Sequence, residues 1–217
     1  MLKAVIFDMD GVIVDSEDYH ASTEQEVLRN IGINVCVEEL KMDLGKSEKD
    51  FFRSVLTRHR KTENIEETIR KLIKEKHKTY LKLLKNAKPV PGAIELVEKV
   101  RAAGVKTAIA TSSIRKMLEI VIENFNLEKY LDAAVCIDDV KKGKPEPDLF
   151  LEAAKRLSVQ PNECVVIEDA ANGIEAAKRA GMKSIGFMSK SKQDFSKADL
   201  VVSDLRGITI EKISRLF

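Results

Sequence analysis

The stretch AVIFDMDGVIVDS at residues 4–16 constrains the fold more than any other part of the chain. Its apolar run, Ala4 to Phe7, stops abruptly at Asp8, Met9, Asp10 and Gly11. A short apolar run that ends in a polar turn reads as a buried parallel strand. A strand over 3–8 delivers Asp8 and Asp10 to its carboxyl end, where open α/β sheets keep their ligand crevices. Two carboxylates that close repel each other unless a hard cation such as Mg²⁺ joins them. With the cation in place, Asp8 can attack a phosphoryl group while Asp10 moves protons.

Strand and helix signals alternate in the rest of the chain, with one interruption. Residues 15–86 contain no convincing strand and read as helices over 17–31, 37–44, 49–60 and 65–85. In the last of these, Ile65, Ile69, Leu72, Ile73, Tyr80, Leu83 and Leu84 fall near helical spacing. Alternation resumes after Pro89, Pro91 and Gly92, with helices expected at 93–103, 114–124, 147–157 and 170–180. Strands are expected at 106–110, 133–137, 164–167, 183–187 and 199–202. Gly104 and Gly181 stand where helices commonly stop, and Pro147 where one starts. Repeated βα units predict an α/β fold, a doubly wound, parallel, Rossmann-like sheet. The helical block after the first strand predicts an inserted α-helical cap at 15–86, leaving 1–14 and 87–217 as the core.

Composition narrows the function classes. At 217 residues and 44% apolar, the chain can bury a substantial core. A net charge of +2 gives no general reason to bind nucleic acid. No apolar stretch approaches the ~20 residues of a membrane span, and Asp8 interrupts the N-terminal apolar run before it resembles a signal peptide. Cys36, Cys136 and Cys164 are widely spaced with no CxxC pair, so neither a zinc site nor a redox pair is expected. Reduced thiols fit a cytoplasmic protein, and a monomer is expected. Charge is uneven inside the cap: residues 15–52 hold ten acidic and four basic residues, residues 53–88 four acidic and twelve basic. Solvated helix faces explain this, though some of these lysines can also attract an anionic substrate.

Four groups of reactive residues fall at expected strand ends. Asp8 and Asp10 follow the first strand, and Thr111 and Ser112 follow the strand in TAIATSS. Lys144 lies in KKGKPEPDLF, and Glu168 and Asp169 end CVVIED. Hydroxyls and helix N–H groups donate to phosphate oxygens, a lysine neutralises growing negative charge, and a second acidic pair completes a cation site. Each group alone has an ordinary explanation as turn, cap or surface loop. Their common placement at carboxyl strand ends favours the chemical reading.

Through FDMDGVIVDSE, ATSS, GKPEPDLF and VVIEDAANGIEAAKRAG, the chain resembles the haloacid dehalogenase superfamily over nearly its whole length. Its cap resembles the small helical cap of the branch with β-phosphoglucomutases and phosphoglycolate-type phosphatases. The resemblance implies that Asp8 is a nucleophile forming an aspartyl-phosphate. It implies that Asp10 is the general acid/base and offers a backbone carbonyl to Mg²⁺. Thr111 and Lys144 would hold the phosphoryl group with Ser112 and Ser113 nearby, and Asp169 and Glu168 would complete the metal site. Carbon–halogen-cleaving members lack the second Asp, so Asp10 points to phosphoryl transfer.

The cap should choose the substrate, a small phosphorylated metabolite. His20 and Lys76 match cap residues of the mutases, or they are a helix residue at the hinge and a solvated lysine. GKSEKDFF, at 45–52, lacks the arginine and second serine that mutases use on a sugar's other phosphate, and Lys46 or Lys49 is a poor replacement for a bidentate arginine. A phosphatase is therefore expected, with a β-phosphoglucomutase-type activity as the alternative. A phosphoacceptor signalling domain is more remote, because such domains are about half this length and have no cap.

Overall fold

A computed structural model describes residues 1–43, 45–189 and 193–217. The chain divides into two compact units, one formed by Met1–Asp15 with Ala87–Phe217 and the other by Ser16–Asn86.

Among the described residues, the first unit is built on six parallel strands: β1 (Ala4–Phe7), β2 (Lys106–Ala110), β3 (Ala133–Val135), β4 (Cys164–Glu168), β5 (Lys183–Phe187) and β6 (Leu200–Val202). Their order across the sheet is β3-β2-β1-β4-β5-β6. β1 is thus central, flanked by β2 and β4, and the order reverses beside it, as in dinucleotide-binding α/β sheets. All four β1 side chains are fully buried, which is why this strand is apolar without alternation. On one face, Ala4, Ile6, Ala108 and Val166 pack against Leu149, Phe150 and Ala153 of a helix over Asp148–Arg156, and against Ala176 and Ala177 of a helix over Ala171–Arg179.

Among the described residues, the second unit contains four helices: α1 (Glu17–Arg29), α2 (Val37–Lys41), α3 (Glu48–Arg58) and α4 (Ile65–Leu84). Its core joins Val27 and Leu28 of α1, Phe52, Val55 and Leu56 of α3, and Ile69 and Leu72 of α4. The chain enters and leaves this unit through paired segments: Val14 bridges Pro89 in antiparallel fashion, and Asp15 N–H donates to Lys88 O at 3.0 Å.

Several boundaries differ from expectation for local reasons. The expected helix 37–44 stops at Lys41, and its last expected residue, Leu44, lies outside the described residues. α3 begins at Glu48 rather than at residue 49 because the Ser47 hydroxyl accepts from Asp50 N–H at 3.2 Å and caps it. The expected strand 133–137 ends at Val135 because the Asp139 carboxylate takes the Cys136 N–H at 2.9 Å and turns the chain. A last helix over Ile210–Ser214, capped by Thr209, has no counterpart in the sequence expectations. Among the described residues, no helix is long and apolar enough to cross a membrane.

Candidate active site

The carboxyl ends of the central strands converge. Asp8 follows β1, and its N–H donates to Ile167 O of β4 at 2.9 Å. Thr111 follows β2, and its N–H donates to Val135 O of β3 at 3.0 Å. Glu168 is the last residue of β4 and Asp169 the next. Lys144 lies in the loop between β3 and the helix over Asp148–Arg156. Parallel pairing therefore fixes the backbone of three of these four groups before any side chain is placed.

Lys144 ties the carboxylates together. Its Nζ donates to Asp8 Oδ1 and, at 2.5 Å, to Glu168 Oε1. All three side chains are buried, with Asp8 at 6% and Glu168 at 1% exposure. The second Glu168 oxygen accepts from Ala170 N–H at 2.8 Å. Asp169 Oδ2 accepts from the Ser189 hydroxyl at 3.0 Å. No sequence motif pointed to Ser189. Thr111, 1% exposed, accepts the Ser113 N–H on its Oγ1 at 3.0 Å, which leaves the hydroxyl hydrogen to donate elsewhere. Ser112 is exposed.

Negative charge exceeds positive charge here. Burial pushes the Asp8 carboxyl up, Lys144 opposes it, and Glu168 and Asp10 push it further, to about 8. Burial likewise raises Asp169 well above the usual carboxylate range, helped by Glu168 and Asp8. Burial works against the Lys144 ammonium, but Asp8 and Glu168 outweigh it and hold its pKa above the ordinary lysine value. One ammonium does not neutralise three clustered carboxylates, of which Asp8 and Glu168 are buried and Asp169 half-buried.

These residues fit a divalent cation. Asp8, Glu168 and Asp169 each offer an oxygen within 4.8 Å of the others. Hard carboxylate oxygens suit magnesium better than a soft metal. The packing around them is tight: a Cβ on Gly11, whose φ is +79°, would collide with the Asp169 carboxylate, and one on Gly173 with Glu168. The Asp10 carboxylate stands outside this trio, since its Oδ2 accepts from the Ser113 hydroxyl at 2.7 Å.

Residues 5–187 match the family of haloacid dehalogenase-like hydrolases. The chain belongs to that family. This haloacid dehalogenase-like hydrolase is 33% identical over 184 residues to a phosphorylated carbohydrates phosphatase of Thermotoga maritima, covering 85% of this chain and 84% of that protein. It is also 33% identical over 225 residues to the β-phosphoglucomutase of Bacillus subtilis, covering 97% and 93%. Its fold matches the crystal structure of a β-phosphoglucomutase from Clostridium difficile with a TM-score of 0.87 at 28% identity, covering 100% of this chain and 97% of that one.

The other two expected site residues, His20 and Lys76, belong to the helical unit. His20 stacks on Tyr80, with ring centroids 4.4 Å apart. Lys76 is buried, with its ammonium 2.8 Å from Glu24 Oε1 and 2.9 Å from Glu48 Oε1. His77 Nε2 lies 2.6 Å from the other Glu48 oxygen. Lys76 is thus neither a solvated lysine nor a lone cation. Spacing could not reveal Glu24 and Glu48 as its partners, because they lie 52 and 28 positions away in sequence.

Proposed function

We propose that this chain is a Mg²⁺-dependent phosphatase that hydrolyses a small phosphorylated metabolite, a sugar phosphate or similar ester, through an aspartyl-phosphate on Asp8. The observation that carries the proposal is the buried Asp8–Lys144–Glu168 contact beside Asp169, at the carboxyl ends of β1 and β4. Asp8, Asp169 and Glu168, with the Asp10 backbone carbonyl, would hold Mg²⁺, which when bound supplies the positive charge that lets a carboxylate approach a phosphate dianion.

The chain's own groups then divide the work. Thr111 and Ser112 donate hydrogen bonds to the phosphoryl oxygens, and Lys144 neutralises the charge that grows on them. An Asp8 oxygen attacks phosphorus, the ester P–O bond breaks, and its electron pair leaves with the ester oxygen. Asp10 supplies the proton that turns this oxygen into an alcohol. Asp10 then takes a proton from the incoming water, whose oxygen attacks the aspartyl-phosphate, releases inorganic phosphate and restores Asp8.

Likeness to the B. subtilis enzyme favours a second reading, transfer of the phosphoryl group between sugar hydroxyls. The helical unit supports hydrolysis instead. A second phosphate at Lys76 would meet two carboxylates already bound to that ammonium, and, unlike Lys144, Lys76 has beside it, among the described residues, no trio of carboxylates placed to take a cation. Lys46 is held at 2.6 Å by Asp43, whose side chain is 1% exposed. Lys49 pairs with Glu66 at 3.2 Å, but both are exposed and this pair restrains it less.

The test supplies β-glucose 1-phosphate with a trace of the 1,6-bisphosphate and follows both products. Phosphate release that outpaces glucose 6-phosphate formation supports the phosphatase. The reverse order overturns it in favour of the mutase.

A further inference from the structure

Ser113 is the third residue of the TSS sequence, where a phosphate contact is the natural expectation. Its hydroxyl instead donates to Asp10 Oδ2 at 2.7 Å. The rest of Ser113 is fixed as well. Its N–H donates to Thr111 Oγ1 at 3.0 Å, and its carbonyl accepts from Ile137 N–H at 3.2 Å. It is thereby anchored to the end of β2 and to the turn after β3.

Asp10 needs such a partner. Its backbone lies in a tight turn, in which Ile13 N–H donates to Met9 O at 2.9 Å and Gly11 N–H to Val14 O at 2.9 Å. The turn settles where the Asp10 Cα stands but not the side-chain torsions. A half-buried carboxylate on two torsions samples several rotamers, and proton transfer demands one of them. A hydroxyl held at both ends of its own residue selects a rotamer without adding charge.

We propose that Ser113 is a positioning residue for Asp10, and that its hydroxyl aims the Asp10 carboxyl at the leaving oxygen rather than binding phosphate. The proposal rests on the reading of Asp10 as the general acid. Ser113 itself gains and loses no proton. Asp10 gives its proton to the ester oxygen as the P–O bond breaks, and the Ser113 hydrogen bond holds Asp10 in place for that transfer.

Leaving-group dependence separates the two roles. p-Nitrophenolate is a stable anion and leaves without much protonation, whereas a sugar alkoxide needs the proton. The value of kcat/KM reports phosphoryl transfer to Asp8 and excludes the later hydrolysis. We would measure it for Ser113→Ala, Ser113→Thr and Asp10→Asn on p-nitrophenyl phosphate and on the sugar phosphate that the native enzyme hydrolyses fastest. We would also measure inhibition by inorganic phosphate. Ser113→Ala is expected to lose about tenfold on the sugar phosphate, a fraction of the general-acid effect, and less than about twofold on the aryl ester. Inhibition by phosphate should be unchanged, and Ser113→Thr should recover most of the loss. Equal losses on both esters, or weaker inhibition by phosphate, would overturn the proposal. If Asp10→Asn also loses equally on both esters, the general-acid reading fails rather than the role of Ser113 alone. If neither p-nitrophenyl phosphate nor any sugar phosphate or similar alkyl phosphate is hydrolysed, the phosphatase reading fails.

Discussion

Lys76 and Glu48 face each other at 2.9 Å in the helical unit, and Glu24 closes on the same ammonium from α1 at 2.8 Å. This makes a cation that sequence spacing offers to substrate into the buried centre of a partly exposed polar cluster. Lys76→Ala leaves two carboxylates facing each other in its place. Breaking a buried pair costs ~3–5 kcal/mol, and the loss here should lie at or below the low end because Glu48 keeps 38% exposure. Denaturant unfolding of the variant measures it. A variant as stable as the native chain would show that the cluster contributes nothing.

The same cluster sets a pH dependence. Burial pushes the Glu48 carboxyl up, but Lys76 and His77 outweigh it and hold it at about 2, against an ordinary value of 4.5. A carboxyl lowered by folding stabilises fully above its unfolded pKa and stops doing so as pH falls through its folded one. The stability difference between native enzyme and Glu48→Gln should therefore be largest above pH 4.5 and shrink as pH approaches 2. Thermal unfolding of both proteins across that window checks it. A difference independent of pH contradicts the assignment.

Cation binding should be visible without turnover. Mg²⁺ at a hundred times its dissociation constant adds ~2.7 kcal/mol to a protein that binds it only when folded. Asp169→Asn removes one of the three clustered carboxylates and should abolish most of that thermal shift. EDTA should remove phosphatase activity, and added Mg²⁺ restore it. Activity that survives full chelation contradicts the metal requirement.

The cysteines should differ sharply in reactivity. Cys36 is exposed, while Cys136 and Cys164 are buried. Burial pushes the Cys164 thiol up to about 12 and also raises Cys136. A thiol reagent such as DTNB should titrate one cysteine rapidly in the native protein and all three after denaturation. Rapid reaction of two or more native thiols would contradict this packing.

Much of this fold was legible in sequence because central parallel strands are buried on both faces and so read as unbroken apolar runs. Ala4–Phe7 and Cys164–Ile167 are such runs, and the acidic residues after them mark the carboxyl ends where the site forms. The placement of Asp8, Thr111 and Glu168 at those strand ends was readable for that reason. Partners set by tertiary contact were not. Nothing in the sequence near Asp10 indicates Ser113, 103 positions away, or near Asp169 indicates Ser189. Lys76 was visible as a residue, but its meaning depends on Glu24 and Glu48, which helix packing supplies. Element ends depended on single side chains, such as the Ser47 cap and the Asp139 turn.

A covalent phosphate on Asp8 is the central claim, and chemical trapping reaches it most directly. The enzyme is quenched during turnover and treated with borohydride, which reduces an acyl phosphate of aspartate to homoserine. Peptide mass spectrometry then locates the altered residue. The account predicts homoserine at position 8, absent without substrate and absent in Asp8→Asn, which should also lose essentially all turnover while keeping its fold. Reduction at any other aspartate, or full turnover by Asp8→Asn, would contradict it.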